Sequence, residues 1–444
     1  MSRIILCAAL YALILIVSAV PAAAEPLELT LGELIGIGLD HNPQIEIARQ
    51  QYMGREGVVT QAKSGYWPHL GTGGTLGRAY VGDLQPVDQD NLASGRLKLT
   101  QLIYDFGRTT GYISASGFSR DAAMEYFHET AQDIVFLIKQ SFYSVLEKQR
   151  LISVAEQAVT NYEQQLYRAQ RYYEAGVRTK IDITNAEVNL ANQRLGLLRA
   201  KSNLMIARTD LENVLGINPN NGDYQLVSDE PPLAQLARTK PELPGQLQDL
   251  LQMAGDKRPG LARYRLLVDA AEASLKQVKG EYWPVFNASG EYQNYETDLT
   301  TLADQWQVGV GLTWEFFSGF ETDGKVAEAS ARLAEIEASL KNFEQAVARE
   351  VTNSYLRAEE NRDGVDIADQ SLALAKENLA LAEGRYKAGI GDILEFNDAQ
   401  LLFTENNATL VITYYSYLTA IAEIERAVGM TPELIGYDPL GQRD

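Results

Sequence analysis

Two similar turns hold most of the residues in this sequence whose types and spacing could do chemistry. Each turn has a glycine after a long helical pattern, then a polar residue, then a carboxylate three residues later: Gly176, Thr179 and Asp182 in the first, and Gly389, Asp392 and Glu395 in the second. Glycine suits the left-handed backbone that closes a helix. A carboxylate at the third helical position suits a helix N-cap. The spacing therefore predicts helix caps at both turns.

These carboxylates support two compatible hypotheses. In the simpler one, Asp182 and Glu395 only stabilise their own helices, since a negative charge favours the positive end of a helix. In the other, they also form an acidic ring when several chains bring their turns together, and Asp398, one helical turn further on, extends that ring. Arg178 and Tyr386 lie at the same turns and are candidates for polar contacts between neighbouring hairpins.

Enzymatic and metal-binding chemistry find little support in the sequence. The three histidines, His41, His69 and His128, are far apart, and none has a second ligand three or four residues away. A metal site is therefore not expected. No nucleophile-elbow, phosphate-binding or dinucleotide-binding motif occurs. We predict that the chain is not an enzyme and uses no cofactor.

The first residues have the features of an export signal. Arg3 precedes an apolar stretch, and Ala22, Ala23 and Ala24 fit a cleavage site, so residues 1–24 are predicted to be a secretory signal peptide. The only cysteine, Cys7, lies inside it, which leaves no disulfide or thiol in the mature chain. The formal net charge of −20 disfavours nucleic acid as a partner, because phosphate contacts need basic patches.

The turns belong to a pattern that occurs twice in the chain. Three segments recur at offsets of 216, 213 and 213 residues, namely 65–68 as 281–284, 171–176 as 384–389, and 211–216 as 424–429. We therefore predict two copies of one unit. The predicted boundaries are a first repeat over 25–216, a connector over 217–258, a second repeat over 259–430 and a tail over 431–444.

Each repeat is predicted to contain a long helical hairpin. The hairpins span about 108–216 and 320–429, and the segment 108–175 has no proline. Apolar residues recur at spacings of three and four, as in a coiled coil or helical bundle. Some 65 residues of helix would make a rod of about 100 Å, which is long for a globular domain.

Each repeat also contains a predicted β-hairpin, over about 70–104 and about 285–316. In the second, alternate residues form an aliphatic face with a tryptophan at each end, from Trp306 to Trp314, while the intervening residues are small and polar. A soluble sheet could bury such a face. Transmembrane β-strands have the same pattern because lipid meets the aliphatic part and aromatic residues lie at the interfaces. Trp67 and Trp283, before the first strand of each hairpin, are further candidates for interface residues.

Taken together, these motifs resemble the TolC-like outer-membrane efflux proteins of Gram-negative bacteria. The resemblance covers the mature chain and rests on the order and duplication of a few segments: Leu29 to Leu39 with Asn42-Pro43, the two Tyr-Trp-Pro motifs, Leu99 to Gly107, and the two turns. It implies a mixed fold, in which four strands per chain join a transmembrane β-barrel closed by trimerisation. The barrel would continue into a long periplasmic α-helical coiled-coil barrel.

The same resemblance implies a function, a location and partners. The chain would be a passive exit duct of a tripartite efflux or type I secretion system, in the outer membrane and extending into the periplasm. Its partners would be two more copies, outer-membrane lipid, a periplasmic adaptor and an inner-membrane transporter. The main alternative is a periplasmic coiled-coil scaffold that transports nothing.

The resemblance also assigns the turns to the gate of the channel. Asp182, Glu395 and Asp398 match acidic positions of the family, and Tyr386 matches its tyrosine. The sequence departs from the family at Gly391, where an arginine is expected, whereas Arg178 occupies the corresponding place in the first turn. A closed state that depends on the family's arginine is therefore expected to be absent here, or to be rebuilt around Arg178.

Overall fold

The computed structural model describes most of the chain, namely residues 27–77, 92–219, 224–228, 231–232, 235–296 and 303–434. The predicted signal peptide over 1–24 lies outside these ranges, as do most of the predicted tail and part of the connector. Within the described helices, none is both long enough and apolar enough to cross a membrane.

The first half of the chain contains two short helices, a β-hairpin and a long helical hairpin. Its elements are β1 (Leu27–Leu29), α1 (Leu31–His41), α2 (Pro43–Ser64), β2 (His69–Gly77), β3 (Leu92–Tyr104), α3 (Arg108–Glu174) and α4 (Lys180–Leu215). Local signals set the boundaries of the short helices. Thr30 and Glu33 form a capping box at the start of α1, and Pro43 occupies the first turn of α2, where its missing N–H costs nothing.

The second half repeats this order after a connecting segment. Its elements are β4 (Tyr224–Leu226), α5 (Leu236–Thr239), α6 (Leu247–Lys257), α7 (Pro259–Lys279), β5 (Val285–Glu296), β6 (Ala303–Thr313), α8 (Glu321–Lys387) and α9 (Ile393–Ala427). The helical hairpin expected from about residue 320 begins at Glu321, and the β-hairpin expected to reach residue 316 ends at Thr313. Both differences are a few residues at an element boundary.

A four-stranded antiparallel sheet joins the two halves. Its strand order is β2-β3-β5-β6, so the central pair, β3 and β5, brings one strand from each hairpin together. A second, two-stranded sheet pairs β1 with β4 in parallel. The sequence patterns did not predict this pairing, because three-residue strands are too short to show a period.

The long helices pack along one another as rods. Helices α3 and α8 have 67 residues each, which corresponds to about 100 Å, and the shorter α4 and α9 pack back against them. The largest apolar core contains Leu34 of α1, Ile138 of α3, Leu211 of α4 and Tyr417 of α9. A second core gathers residues of α6, α7, α8 and α9 around Val351. The short helices thus wrap the middle of the rods, and the ends of the hairpins extend beyond this core.

The residue before the proline of α2 and of α7 makes an equivalent contact in each half. Asn42 Nδ2 donates to the carbonyl oxygen of Val214 at 2.6 Å, and Arg258 donates to the carbonyl oxygen of Ala427 at 2.9 Å. In both cases a side chain satisfies a carbonyl at the end of the returning helix, which has no partner within its own helix. Arg258 also pairs with Glu350 at 2.7 Å, so only the second joint carries a buried charge.

Candidate functional site

The two turns that join the long helices have the same backbone frame. We call residues 175–182 the first tip and residues 388–395 the second tip. Gly176 and Gly389 have φ angles of 72° and 73°, the left-handed conformation that glycine adopts without strain. The amide of the next residue donates back into the preceding helix, from Val177 to Tyr172 at 2.9 Å and from Ile390 to Arg385 at 3.1 Å.

The predicted cap is present in the first tip. Asp182 Oδ2 accepts a hydrogen bond from the amide of Thr179 at 2.9 Å and another from its hydroxyl at 3.1 Å. The carboxylate is therefore held against the start of α4, where the helix dipole favours its negative charge.

The predicted cap is wrong for the second tip. Asp392 occupies the N-cap position, but its side chain makes no capping bond. Glu395 turns instead to Arg385 of α8, and the two side chains form an ion pair at 3.0 Å. The chemistry explains the difference, because an ionised Asp392 has no hydroxyl to donate to Glu395, whereas a guanidinium donates a charge-assisted bond.

Tyr386 lies in an apolar cluster between the two hairpins. Its ring is 4% exposed and stacks on Phe396 of α9, with 5.6 Å between ring centroids. Tyr172 of α3 packs edge-on against it at 6.1 Å. The guanidinium of Arg178, from the first tip, lies 5.1 Å from the centre of the Tyr386 ring. A cation–π contact between Arg178 and Tyr386 thus joins the two hairpins.

Electrostatics around Tyr386 reflect the same arrangement. Burial raises the pKa of the Tyr386 phenol, the Asp182 carboxylate raises that pKa further, and Arg178 lowers it. Three of the residues selected from the sequence, Arg178, Asp182 and Tyr386, therefore lie close enough to interact within one chain.

Gly391 is a site of close backbone approach. A Cβ atom at this position would lie 2.9 Å from the Cβ of Arg385 and 3.0 Å from its carbonyl carbon. Real Cβ atoms do not come so close, so a side chain here would require the turn to move. The second tip in this conformation therefore has no room for the expected arginine.

Two further contacts join the hairpins next to the tips, and no pattern in the sequence predicted them. Arg168 of α3 pairs with Glu383 of α8 at 2.7 Å, and Gln165 of α3 donates to Asn397 of α9. Hydrogen bonds from Lys387 and Arg168 lower the pKa of the Glu383 carboxyl. Only the tertiary structure could reveal these pairs, since their members are more than 200 residues apart.

Asp398 takes no part in the cluster around Tyr386. It is exposed on α9, and its charge is felt by Tyr162 of α3. Burial raises the pKa of the Tyr162 phenol, and the Asp398 carboxylate adds to the increase. The three predicted acidic residues thus have three environments, a cap for Asp182, an ion pair for Glu395 and solvent for Asp398.

The register of the four-stranded sheet puts its apolar residues on one face. Leu70 pairs with Leu99, Leu99 with Gly290, and Gly290 with Val308, so one apolar row crosses all four strands. This face is uncovered in the chain: Trp306, Val308 and Val310 are 74%, 78% and 71% exposed. The opposite face carries glycine, serine, threonine, asparagine, glutamine and a few charged residues.

The tryptophans lie at the two ends of this apolar face. Trp306 is toward the hairpin turn, and Trp67, Trp283 and Trp314 are at the ends that lead into the helices. Trp283 stacks on Phe106 at 5.4 Å, and Trp314 Nε1 donates to the carbonyl oxygen of Tyr282 at 3.1 Å. Trp314 lies eight positions after Trp306, which corresponds to about 27 Å at the usual rise per residue.

Comparison with known proteins identifies the family to which this architecture belongs. The family model described as outer membrane efflux protein matches residues 34–217 and 250–430, which is most of the chain. The chain belongs to the outer membrane efflux protein family. It is similar to the alkaline protease secretion protein AprF of Pseudomonas aeruginosa, with 23% identity over 91% of this chain and 85% of that protein.

Two other proteins are similar to this chain over most of its length. The outer membrane protein TolC of Salmonella enteritidis is 21% identical over 84% of this chain and 77% of that protein. The solved structure of the outer membrane protein VceC from Vibrio cholerae covers 90% of this chain and 96% of its own, with a TM-score of 0.77 and 17% identity. The efflux protein described here is thus a transport protein of the outer membrane and not an enzyme, and the predicted family and location are confirmed.

Proposed function

We propose that this efflux protein is one subunit of a trimeric channel, which serves as the passive exit duct of a tripartite efflux or type I secretion system. The observation that carries the proposal is the uncovered apolar face of the four-stranded sheet, with Trp306 at one end and Trp314 at the other. Lipid is the environment that favours such a face, and the polar face opposite then lines a hydrated passage.

Closure of the barrel by other copies follows from the unpaired edges of the sheet. Among the described strands, β2 and β6 each pair on one side only, and open sheet edges are not tolerated in the hydrocarbon of a bilayer. Twelve strands, four from each of three chains, would close a barrel. Exposed apolar side chains on the long helices also recur at seven-residue spacing, which suits packing between copies in an α-helical barrel: Val188 and Leu195 on α4, and Ile367, Leu374 and Leu381 on α8.

The chain is proposed to consist of two repeats of one unit, over 25–216 and 259–430, with the connector over 217–258. The equal backbone frames of the two tips and the equal joints at Asn42 and Arg258 support the division. Six hairpins from three chains would then surround one passage through the periplasm.

The tips are proposed to contact a periplasmic adaptor, through which an inner-membrane transporter supplies the cargo. Support comes from apolar side chains that both tips leave in solvent: Val177 and Ile181 are each 68% exposed, and Ile390 and Leu394 are 72% and 58% exposed. AprF is named for the secretion of a protease, and an exported protein is one candidate cargo of this chain.

The tips are also proposed to form the periplasmic gate. Asp182, Glu395 and Asp398 would make up an acidic ring around the passage. The contact of Arg178 with Tyr386, at 5.1 Å, would hold the two hairpins of a chain together in the resting state. It would take over the role of an arginine at position 391, which the turn has no room to accept.

The proposed membrane orientation is tested by adjacent substitutions on opposite faces of β6. Val308→Arg adds a charge to the apolar face, where it costs about 2–4 kcal/mol in lipid, and should abolish heat-resistant trimers in outer-membrane extracts. Gly309→Arg is the matched control, because a Cβ at Gly309 has no neighbour within 4 Å, and it should still assemble. If neither variant forms heat-resistant trimers, or if the native chain stays monomeric in the soluble periplasm, the scaffold alternative would be favoured.

A further inference from the structure

The polar face of the sheet carries long side chains at two adjacent levels. One level pairs Lys98 with Glu291 and Glu291 with Gln307, and the next pairs Arg96 with Gln293 and Gln293 with Gln305. We call these six residues the collar. All six have long polar side chains, whereas the corresponding residues at the next level toward the helices, Thr100, Ser289 and Gly309, are short.

The collar is held together by its own contacts. Glu291 accepts a hydrogen bond from Gln307 at 3.3 Å and lies 3.9 Å from Arg96. Its side chain is 20% exposed, against 60% for Arg96. The Glu291 carboxylate is therefore largely shielded from solvent, whereas the Arg96 side chain is mostly exposed.

The charge of the collar is opposite to that of the chain. The collar contains two cations, Arg96 and Lys98, and one carboxylate, Glu291, so each copy contributes one net positive charge to a protein whose formal charge is −20. Apart from His69, the described strands carry no other acidic or basic residue at a polar-face position. Three copies around one passage would bring these charges together at the two levels of the collar.

From this arrangement we infer that the collar is a second selectivity element of the duct, which attracts anionic groups and resists cations. The inference rests on the proposed function, because it needs the polar face to line the passage. The acidic residues of the proposed gate and the basic collar would then act on a passing molecule in turn, with opposite sign. Fixed charges of one sign in a low-dielectric wall attract ions of the opposite sign, and salt screens the attraction over about 10 Å at 0.1 M.

The test uses purified full-length trimers in planar bilayers under a KCl gradient. The variant with Arg96→Gln and Lys98→Gln should lower the chloride-to-potassium permeability ratio by about threefold at low salt. The same variant should also weaken block of the channel by inorganic tripolyphosphate that is added on the side of the β-hairpin turns. Glu291→Gln removes the only carboxylate of the collar and should raise both the ratio and the block.

A matched control removes two cations elsewhere on the chain, by Arg332→Gln and Lys341→Gln on α8. It should change the permeability ratio less than the collar variant does. An equal change in this control, or an unchanged ratio in the collar variant of a conducting trimer, would overturn the inference. Failure of the native chain to conduct at all would instead refute the proposed function, so the two failures are distinguishable.

Discussion

The two tips of this chain have one backbone and two chemistries. Gly176 and Gly389 close their helices in the same left-handed conformation, yet the carboxylate that follows each turn has a different partner. Asp182 accepts hydrogen bonds from Thr179, whereas Glu395 pairs with Arg385. The two hairpins thus share a backbone frame at their turns, while the side chains that follow have different partners.

The tyrosines that precede the two tips also differ in how they pack. Tyr173 and Tyr386 are equivalent at the offset of 213 residues, but Tyr173 is 46% exposed and Tyr386 is 4% exposed. The second hairpin supplies Tyr386 and Phe396, and the first supplies Tyr172 and Arg178, which contact Tyr386. Residues at the ends of both hairpins therefore contact each other within one chain.

The largest expected effect comes from the buried tyrosine. Tyr386→Ala should destabilise the contact between the hairpins by about 3–5 kcal/mol, because it removes a buried aromatic ring. Single-channel conductance should rise, and the amides of both tips should exchange hydrogen faster. Its equivalent in the other copy is the control, since Tyr173→Ala should change stability by less than about 0.5 kcal/mol. Similar effects of the two variants would refute the asymmetry between the tips.

A smaller effect is expected from Gly391. Gly391→Ala should cost about 1–3 kcal/mol, because the new Cβ would collide with Arg385 and force the turn to move. Gly384→Ala, in the last turn of α8, is the matched control: a Cβ there meets nothing within 4 Å, and alanine favours a helix over glycine. Hydrogen exchange in the second tip should increase in Gly391→Ala and not in Gly384→Ala. If Gly391→Ala behaves like Gly384→Ala, the turn does have room for a side chain.

The smallest effect on stability, but a distinct effect on transport, is expected from the acidic residues. The ion pair of Glu395 with Arg385 is half-exposed and contributes at most about 1 kcal/mol. It partly neutralises Glu395, so Asp182→Ala should relieve block by divalent cations more than Glu395→Ala does. Arg385→Gln frees the carboxylate and should strengthen block.

Planar-bilayer titration with a divalent cation separates these outcomes. The double variant with Asp182→Ala and Glu395→Ala should show the weakest block of the set. Block that stays unchanged in the double variant would exclude the acidic ring and leave the two carboxylates with structural roles only.

The local elements of this protein were predictable because they depend on local patterns. Apolar residues at spacings of three and four predicted helices that are observed at Arg108–Glu174 and Glu321–Lys387. Alternation predicted the strand that contains Trp306 and Val308, and the glycines predicted where the helices end. In each case the signal lies within one or two turns of the residue concerned, so the sequence alone determines it.

Only the tertiary structure decided which of these elements meet. The order β2-β3-β5-β6, the cluster around Tyr386 and the pair of Arg385 with Glu395 depend on how the hairpins pack. The capping pattern at Asp392 and Glu395 failed for this reason, because Arg385 on the neighbouring helix competes for the carboxylate. A one-dimensional pattern records spacing along the chain, whereas partners are chosen by distance across it.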